Sequence, residues 1–309
     1  FTADTAGDGG RSTQPTRDTR VRISSGSNFV NAPWGLEWRR QLWDADNDEG
    51  LGSFSASLSY IFSRRYRVTG IVGYDDGDFV ARNGRSRGAR WEVRFLWQPK
   101  PTSSVRVGGG QAFFGDFGSL GVSHRHKRWV FNVDYSVSVE TATTEIATQQ
   151  IVALEDPFGN PITDPFTGEV IRASITTPAL IDDSFLRSRL RTSIAYNKGR
   201  NYVRGEWLIT DRDYSRGDLD SRDNQWRLNW RRTLSGRLSG SAQVLFWDHS
   251  ESGDSSFDYT QQGASVGLTY RLGGRSDLSA RLARQARDAQ LDGGDFTENR
   301  VTLELRFRL

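Results

Sequence analysis

From Leu51 to Leu309 the chain repeats one pattern about a dozen times: about ten to fourteen residues alternate apolar with polar, followed in turn by a tight turn or a long acidic segment. Successive side chains of an extended strand point to opposite faces, so each stretch makes a ribbon with one apolar and one polar side. The last copy is the clearest. In Val301 to Leu309, residues Leu303, Leu305, Phe307 and Leu309 share one face, and Thr302, Glu304, Arg306 and Arg308 share the other.

Strands of this length exceed the roughly 5 to 6 residues usual in soluble sheets and match the roughly 9 to 11 that cross a bilayer. Connections such as Arg64-Arg65, Pro99 to Thr102 and His126 to Arg128 are short. They alternate with long ones such as Asp44 to Gly50, Asp75 to Gly88 and Thr143 to Asp183, the two-sided order of outer-membrane proteins. The pattern predicts an all-β fold, a transmembrane antiparallel up-and-down β-barrel of 14 or more strands in the bacterial outer membrane. Fourteen strands run from Trp34 onward, and Thr19 to Ser25 makes a fifteenth. Residues 1–18, without periodicity, read as a mobile segment, 19–309 as the barrel, and 143–183 as its long extracellular loop. Single-chain bacterial barrels have even strand numbers, so 16 to 18 strands are expected in the complete protein, with a partner strand before Phe1. A first residue other than Met agrees with a processed or trimmed chain.

No stretch approaches the roughly 20 consecutive apolar residues of a membrane helix. Cysteine is absent, which excludes disulfides and thiolate metal sites. The formal charge of +3 is small and points to no nucleic-acid partner, yet it is unevenly placed: most of the 38 acidic residues lie in the long segments.

By parity the lipid face carries Phe54, Leu58, Tyr60 and Phe62; Trp91, Val93, Phe95 and Trp97; and Trp129, Phe131, Val133 and Tyr135. Aromatics near strand ends, Trp34, Trp43, Trp97, Trp129 and Trp247, are expected in a girdle at the headgroup level. The opposite parity gathers charge. Arg90, Glu92, Arg94, Asp134, Arg187, Arg189, Arg191, Arg204, Glu206, Arg227, Arg231, Arg271 and Arg306 are the expected lumen-lining residues, because an Arg facing lipid at the midplane costs about 2 to 4 kcal/mol. Two explanations of this excess stand open: a structural network in which arginines pair with neighbouring carboxylates, or a positive wall that attracts an anionic solute or polymer.

No catalytic constellation is apparent, so neither enzymatic activity nor a cofactor or metal is expected. His124 and His126 lie two apart on a strand but lack a third ligand, and Ser123 faces away from its neighbour His124. Gly108, Gly109 and Gly110 suggest a bend or bulge in a strand. The acids Asp44, Asp46, Asp48 and Glu49 do not have calcium-loop spacing and read as solvated loop charge.

The segment Phe113-Phe114-Gly115-Asp116-Phe117, with Ser119-Leu120-Gly121-Val122-Ser123-His124-Arg125-His126-Lys127-Arg128-Trp129-Val130 after it, resembles a characteristic stretch of the PEP-CTERM-system-associated outer-membrane β-barrels. Arg20 to Gly26 and the Asp164-Pro165-Phe166-Thr167-Gly168 element of the long loop are similar as well. The resemblance implies a barrel that accompanies bacterial exopolysaccharide genes and acts as a conduit or export port. Its implied partners are outer-membrane lipid and lipopolysaccharide, periplasmic polysaccharide-export proteins and an anionic polysaccharide. A scaffold barrel of a surface assembly and a general diffusion porin are the alternatives. The family supplies no catalytic residues, and this chain departs from the usual aromatic ending in finishing on Leu309.

Overall fold

Among the described residues sixteen strands follow one another in a single antiparallel sheet whose spatial order is the order of the sequence. In this computed structural model the described residues are 2–6, 17–44, 49–78, 80–141, 184–214, 220–253, 257–273, 276–290 and 294–307. The strands are β1 (Thr2–Ala6), β2 (Arg17–Ser24), β3 (Trp34–Asp44), β4 (Glu49–Ser63), β5 (Tyr66–Gly77), β6 (Arg87–Lys100), β7 (Ser103–Ala112) and β8 (Gly115–His126). They continue as β9 (Trp129–Thr141), β10 (Ser184–Lys198), β11 (Asn201–Tyr214), β12 (Ser221–Thr233), β13 (Leu238–Glu251), β14 (Tyr259–Arg271), β15 (Ser276–Ala289) and β16 (Phe296–Phe307). No helix among the described residues is long and apolar enough to cross a membrane.

The all-β, up-and-down fold expected from the alternation is therefore present. One strand more is found than the sequence analysis assigned. Thr2–Ala6 pairs with β2, Thr2 opposite Arg22 and Ala6 opposite Asp18, where a mobile segment was expected; its Thr-Ala-Asp-Thr-Ala sequence has no apolar alternation to announce it.

By its internal contacts the chain divides into two compact units. One comprises Phe1–Leu120, Ser136–Arg187 and Asp213–Arg216; the other comprises Gly121–Tyr135, Ser188–Arg212 and Gly217–Leu309. In the first unit β3 to β7 pair in regular register, broken at Leu42/Asp44, Ile61/Ser63 and Trp97/Lys100. The pairing of β6 with β7 runs without slip from Trp91 opposite Gln111 to Trp97 opposite Val105. Gly108 to Gly110 thus form no bulge there, contrary to the expectation from sequence. In the second unit β11 to β16 pair without a break.

Both units invert the usual order of exposure. Leu58, Phe62, Val72, Trp91 and Val93 stand exposed in the first, and Trp226, Val266, Leu282 and Leu303 in the second, Leu303 reaching 74 %. Charged side chains are among the buried ones: Glu92 is 2 % exposed and Asp223 3 %. Pairing aligns the apolar side into bands. Val266, Leu282 and Val301 make one row; Leu268, Ala280 and Leu303 the next; Tyr270, Leu278 and Leu305 a third.

Candidate functional site

The charged face is the candidate site, and it is an organised network. In the first unit, Arg90, Glu92 and Arg94 alternate along β6 and so share one side. Glu92 receives Arg90 Nη2 at 3.1 Å, Arg94 Nη2 at 2.8 Å and Arg94 Nε at 2.5 Å. Two guanidinium groups thus enclose one carboxylate. The strand beside it leaves room: Gly110 stands opposite Glu92 and Gly108 opposite Arg94. A Cβ on Gly110 would run into the Trp91 carbonyl oxygen, and one on Gly108 into Ser119 Oγ. Arg90 also lies over the Phe117 ring, 5.3 Å from its centre. Arg187 Nη2 meets Glu140 Oε1 at 2.5 Å, and Arg39 makes a two-pronged pair with Asp18 at 3.0 and 2.7 Å.

The same unit holds a small apolar core under the connection from β5 to β6. Ala81 and Phe113 are buried there against Leu51, Phe114, Val139 and Leu186. Asn83 Nδ2 donates to the Phe113 carbonyl at 2.8 Å, and Ala81 N to Arg85 O at 2.9 Å. Arg82 reaches β11, with Nε 3.4 Å from Tyr214 O and Nη2 4.0 Å from Asp213. Tyr214 in turn packs on Phe185, which is fully buried. A connection between β5 and β6 thereby touches a strand far along the sheet order.

In the second unit Glu206 collects Arg191, whose Nε lies at 3.0 Å, and Arg204 Nη2 at 3.0 Å; Arg227 is its cross-strand neighbour. Arg281 Nη2 donates to Ser265 Oγ at 3.0 Å and to Gln243 Oε1 at 3.3 Å. Arg271 lies 3.7 Å from Asp277, and Arg306 2.9 Å from Glu304. Asp134 is exposed, while Arg189 and Arg231 are half-buried on the same face. Of the expected lumen residues, the structure thus joins Arg90, Glu92 and Arg94 in one cluster and Arg191, Arg204, Glu206 and Arg227 in another. The remainder are dispersed along the face.

A cluster that sequence reasoning missed centres on Asp223. Its carboxylate receives Arg212 Nη1 at 2.5 Å and Trp247 Nε1 at 2.8 Å, and His249 Nδ1 lies 2.8 Å away. Glu251 stands 3.4 Å from His249 Nε2, Tyr259 stacks on the imidazole at 4.9 Å, and Arg287 lies 3.7 Å over the Tyr259 ring. At this level the outward positions are also polar: Asp248 pairs with Thr260, and Arg222 with Asp211. The cluster therefore lies past the apolar band, at the end that carries the long connections.

Trp247 accordingly does not belong to the girdle, where its place near a strand end had put it; it is 8 % exposed and faces the charged side. Trp34, Trp97 and Trp129 are on the apolar side and exposed, and Trp129 packs against Tyr196 at 4.4 Å. The side chain of Trp43 lies outside the described residues, as do Asp46, Asp48, Arg308 and the loop 143–183. His124 and His126 stack at 6.4 Å. Among the described residues no group of three or more His, Asp or Glu is placed to hold a metal ion.

No protein-family model matches the chain, and no curated protein does. Solved structures do. OmpT, an outer membrane protein of Vibrio cholerae, matches 94 % of this chain and 95 % of its own at 10 % identity and a TM-score of 0.41. A bacterial polysaccharide outer membrane secretin matches 96 % and 91 % at 9 % identity and a TM-score of 0.42. An anion-selective porin from Comamonas acidovorans matches 96 % and 91 % at 12 % identity and a TM-score of 0.40. Likeness at this level carries no functional argument. One expectation is corrected here: enzymatic activity was set aside for want of a catalytic constellation. The seating of His249 between Asp223 and Glu251, which the sequence did not reveal, withdraws that exclusion.

Proposed function

We propose that the chain works in the bacterial outer membrane as a β-barrel conduit or export port associated with exopolysaccharide secretion. The observation that carries the membrane reading is the inverted exposure. A sheet that displays Leu303 and Leu282 while enclosing Glu92 and Asp223 is stable only where hydrocarbon meets its apolar side. Aromatics at the margin, Trp129 with Tyr196 and Trp207 stacked on Trp226 at 4.9 Å, suit the headgroup level. The export reading rests on the resemblance to exopolysaccharide-associated barrels and on a charged inner face fit for a hydrated, anionic chain. Lipopolysaccharide and periplasmic export proteins are its partners in this reading.

A second reading, a scaffold barrel closed by its own side chains, is favoured by one observation. The arginines of β6 and β10 to β11 are matched by Glu92 and Glu206, and the β5 to β6 connection is tucked against the strands. Single-channel recording in planar bilayers separates the two. Discrete conductance steps support a conduit; silence both in the intact chain and after deletion of residues 147–178 removes it. A diffusion porin would pass small neutral sugars in swelling assays as readily as anionic ones.

A further inference from the structure

Charge is sorted along the strand axis more sharply than across the faces. The short connections β4 to β5, β6 to β7, β8 to β9, β10 to β11, β12 to β13 and β14 to β15 all carry Lys or Arg within or beside them. None contains Asp or Glu, and within two residues of any of them Asp277 is the single acid. All the lysines of the chain, Lys100, Lys127 and Lys198, sit at these turns. In an up-and-down sheet these turns share one end, and the long segments that alternate with them in the sequence hold most of the acids.

Deeper in the sheet, arginines are offset by neighbours, as Arg90 and Arg94 are by Glu92. Near the turns acids are fewer: among the described residues within two positions of a turn Asp277, 3.7 Å from Arg271, is the single acid. In the first unit, Arg67 and Arg106 flank Leu96 in one row of the charged side, both exposed, with Arg64, Arg65 and Lys100 just beyond. In the second unit the turns are joined sideways. Asn197 N donates to Arg128 O, Thr233 N to Arg200 O and Arg271 N to Arg237 O, at 2.9, 2.9 and 2.7 Å. Arg200 Nη1 also reaches Leu234 O at 3.5 Å. Exposed cationic side chains, Lys127, Arg128, Lys198, Arg200 and Arg237, thus recur at neighbouring turns of this edge.

We infer that the short-turn edge of each unit is a docking surface for an acidic polysaccharide, which it engages before the chain passes the neutralised interior. The inference rests on the proposed conduit reading and gives it a place of first contact. The charged-side position of Arg67 and Arg106 favours a polymer in water over lipid headgroups, since this parity is opposite to that of Trp97. Long, flexible cationic side chains at a wet edge attract a polyanion through counterion release, so binding weakens as salt rises.

The test uses the full chain in nanodiscs of zwitterionic lipid, with polygalacturonate oligomers as probe and dextran oligomers of equal length as neutral control. Variants carry Arg64→Gln, Arg65→Gln and Lys100→Gln together, or Lys127→Gln, Arg128→Gln, Lys198→Gln, Arg200→Gln and Arg237→Gln together. Circular dichroism and heat-shifted gel mobility establish that each is folded. Calorimetry is expected to show salt-dependent binding of polygalacturonate and none of dextran. Combining both sets should weaken binding by at least about tenfold and flatten the salt dependence. Unchanged affinity in the combined variant, equal binding of dextran, or selective retention of phosphatidylglycerol in place of the polymer overturns the proposal. Binding without any bilayer conductance leaves the docking edge standing and removes the conduit; conductance without binding does the reverse.

Discussion

Asp223 of β12 and His249 of β13 stand directly opposite one another, Oδ1 to Nδ1 2.8 Å, although 26 residues separate them. Burial disfavours charge on either group. The hydrogen bond from His249 and the charge of Arg212 nevertheless hold the Asp223 carboxyl down at about 2. Asp223 and Glu251 likewise raise the imidazole of His249 above 6.5 despite its burial. The two ions are thus each other's principal support.

The pH dependence follows from those directions. Asp223, with its folded value depressed, contributes stability that is present above its unfolded 3.8 and lost as pH falls through about 2. His249, with its folded value raised, contributes fully below 6.5 and loses that contribution as pH rises through the higher folded value. Tyr259, Glu251, Arg212 and Arg287 are the other titratable or charged groups around the pair. Protection of the β12 and β13 amides, taken relative to the intrinsic base-catalysed exchange rate at each pH, should therefore be highest between about pH 4 and 6.5 and fall on the alkaline side. His249→Gln should abolish the alkaline change; its persistence would remove His249 as the cause.

Glu92 offers a test of the enclosed network. Glu92→Gln leaves Arg90 and Arg94 facing one another without the carboxylate between them, and breaking such a buried pair costs about 3 to 5 kcal/mol. Because the arginines are partly exposed, the lower part of that range is expected in urea unfolding from lipid vesicles. A loss below about 1 kcal/mol would mean that water, not Glu92, solvates these guanidinium groups.

The neighbouring glycines separate packing from chain flexibility. Gly110→Ala drives a methyl group into the Trp91 carbonyl, whereas the methyl of Gly109→Ala would come no nearer than 3.7 Å, to Phe117 O. Removing glycine from a strand generally helps by a few tenths of a kcal/mol or more. Gly109→Ala should thus be neutral or stabilising, and Gly110→Ala destabilising by about 1 to 3 kcal/mol. Similar effects at both positions would show that the close approach is not what demands Gly110.

The Ala81 to Arg85 turn should behave as a cap. Asn83→Ala removes the bond to the Phe113 carbonyl, and Arg82→Ala the tie to Tyr214. If the chain conducts, the double variant is expected to show larger or longer openings and faster protease cleavage within residues 80–86. Unaltered conductance alongside faster cleavage would place the turn outside the conducting path.

What the sequence made legible depended on how far apart the interacting residues are along the chain. The apolar sides of β4, β6 and β9 could be read directly, because alternation is fixed by the geometry of a single strand. The cluster of Arg90, Glu92 and Arg94 was equally accessible, lying on one strand at intervals of two. Asp223 with His249 was not, since their meeting depends on the register of a hairpin whose turn is only assigned once the strands pair. Trp247 shows a competing signal misleading the reading: its nearness to a strand end suggested a girdle, while its parity with His249 placed it inside. Thr2–Ala6 had no apolar periodicity to read, and only its pairing with β2 defines it.

The apolar band supplies the most direct test of the membrane reading. Leu268 lies in the middle row of three, between Ala280 on β15 and Gly240 on β13, and is exposed. Its chain neighbour Thr269 points to the opposite side. Leu268→Arg should lower folding stability in vesicles by about 2 to 4 kcal/mol, since the guanidinium must be drawn into hydrocarbon, whereas Thr269→Arg should be tolerated. In a water-soluble sheet the order reverses: arginine at the exposed Leu268 is harmless, and at the half-buried Thr269 it is not. Equilibrium unfolding of the two variants, measured in vesicles, therefore reads out which side of the sheet meets lipid.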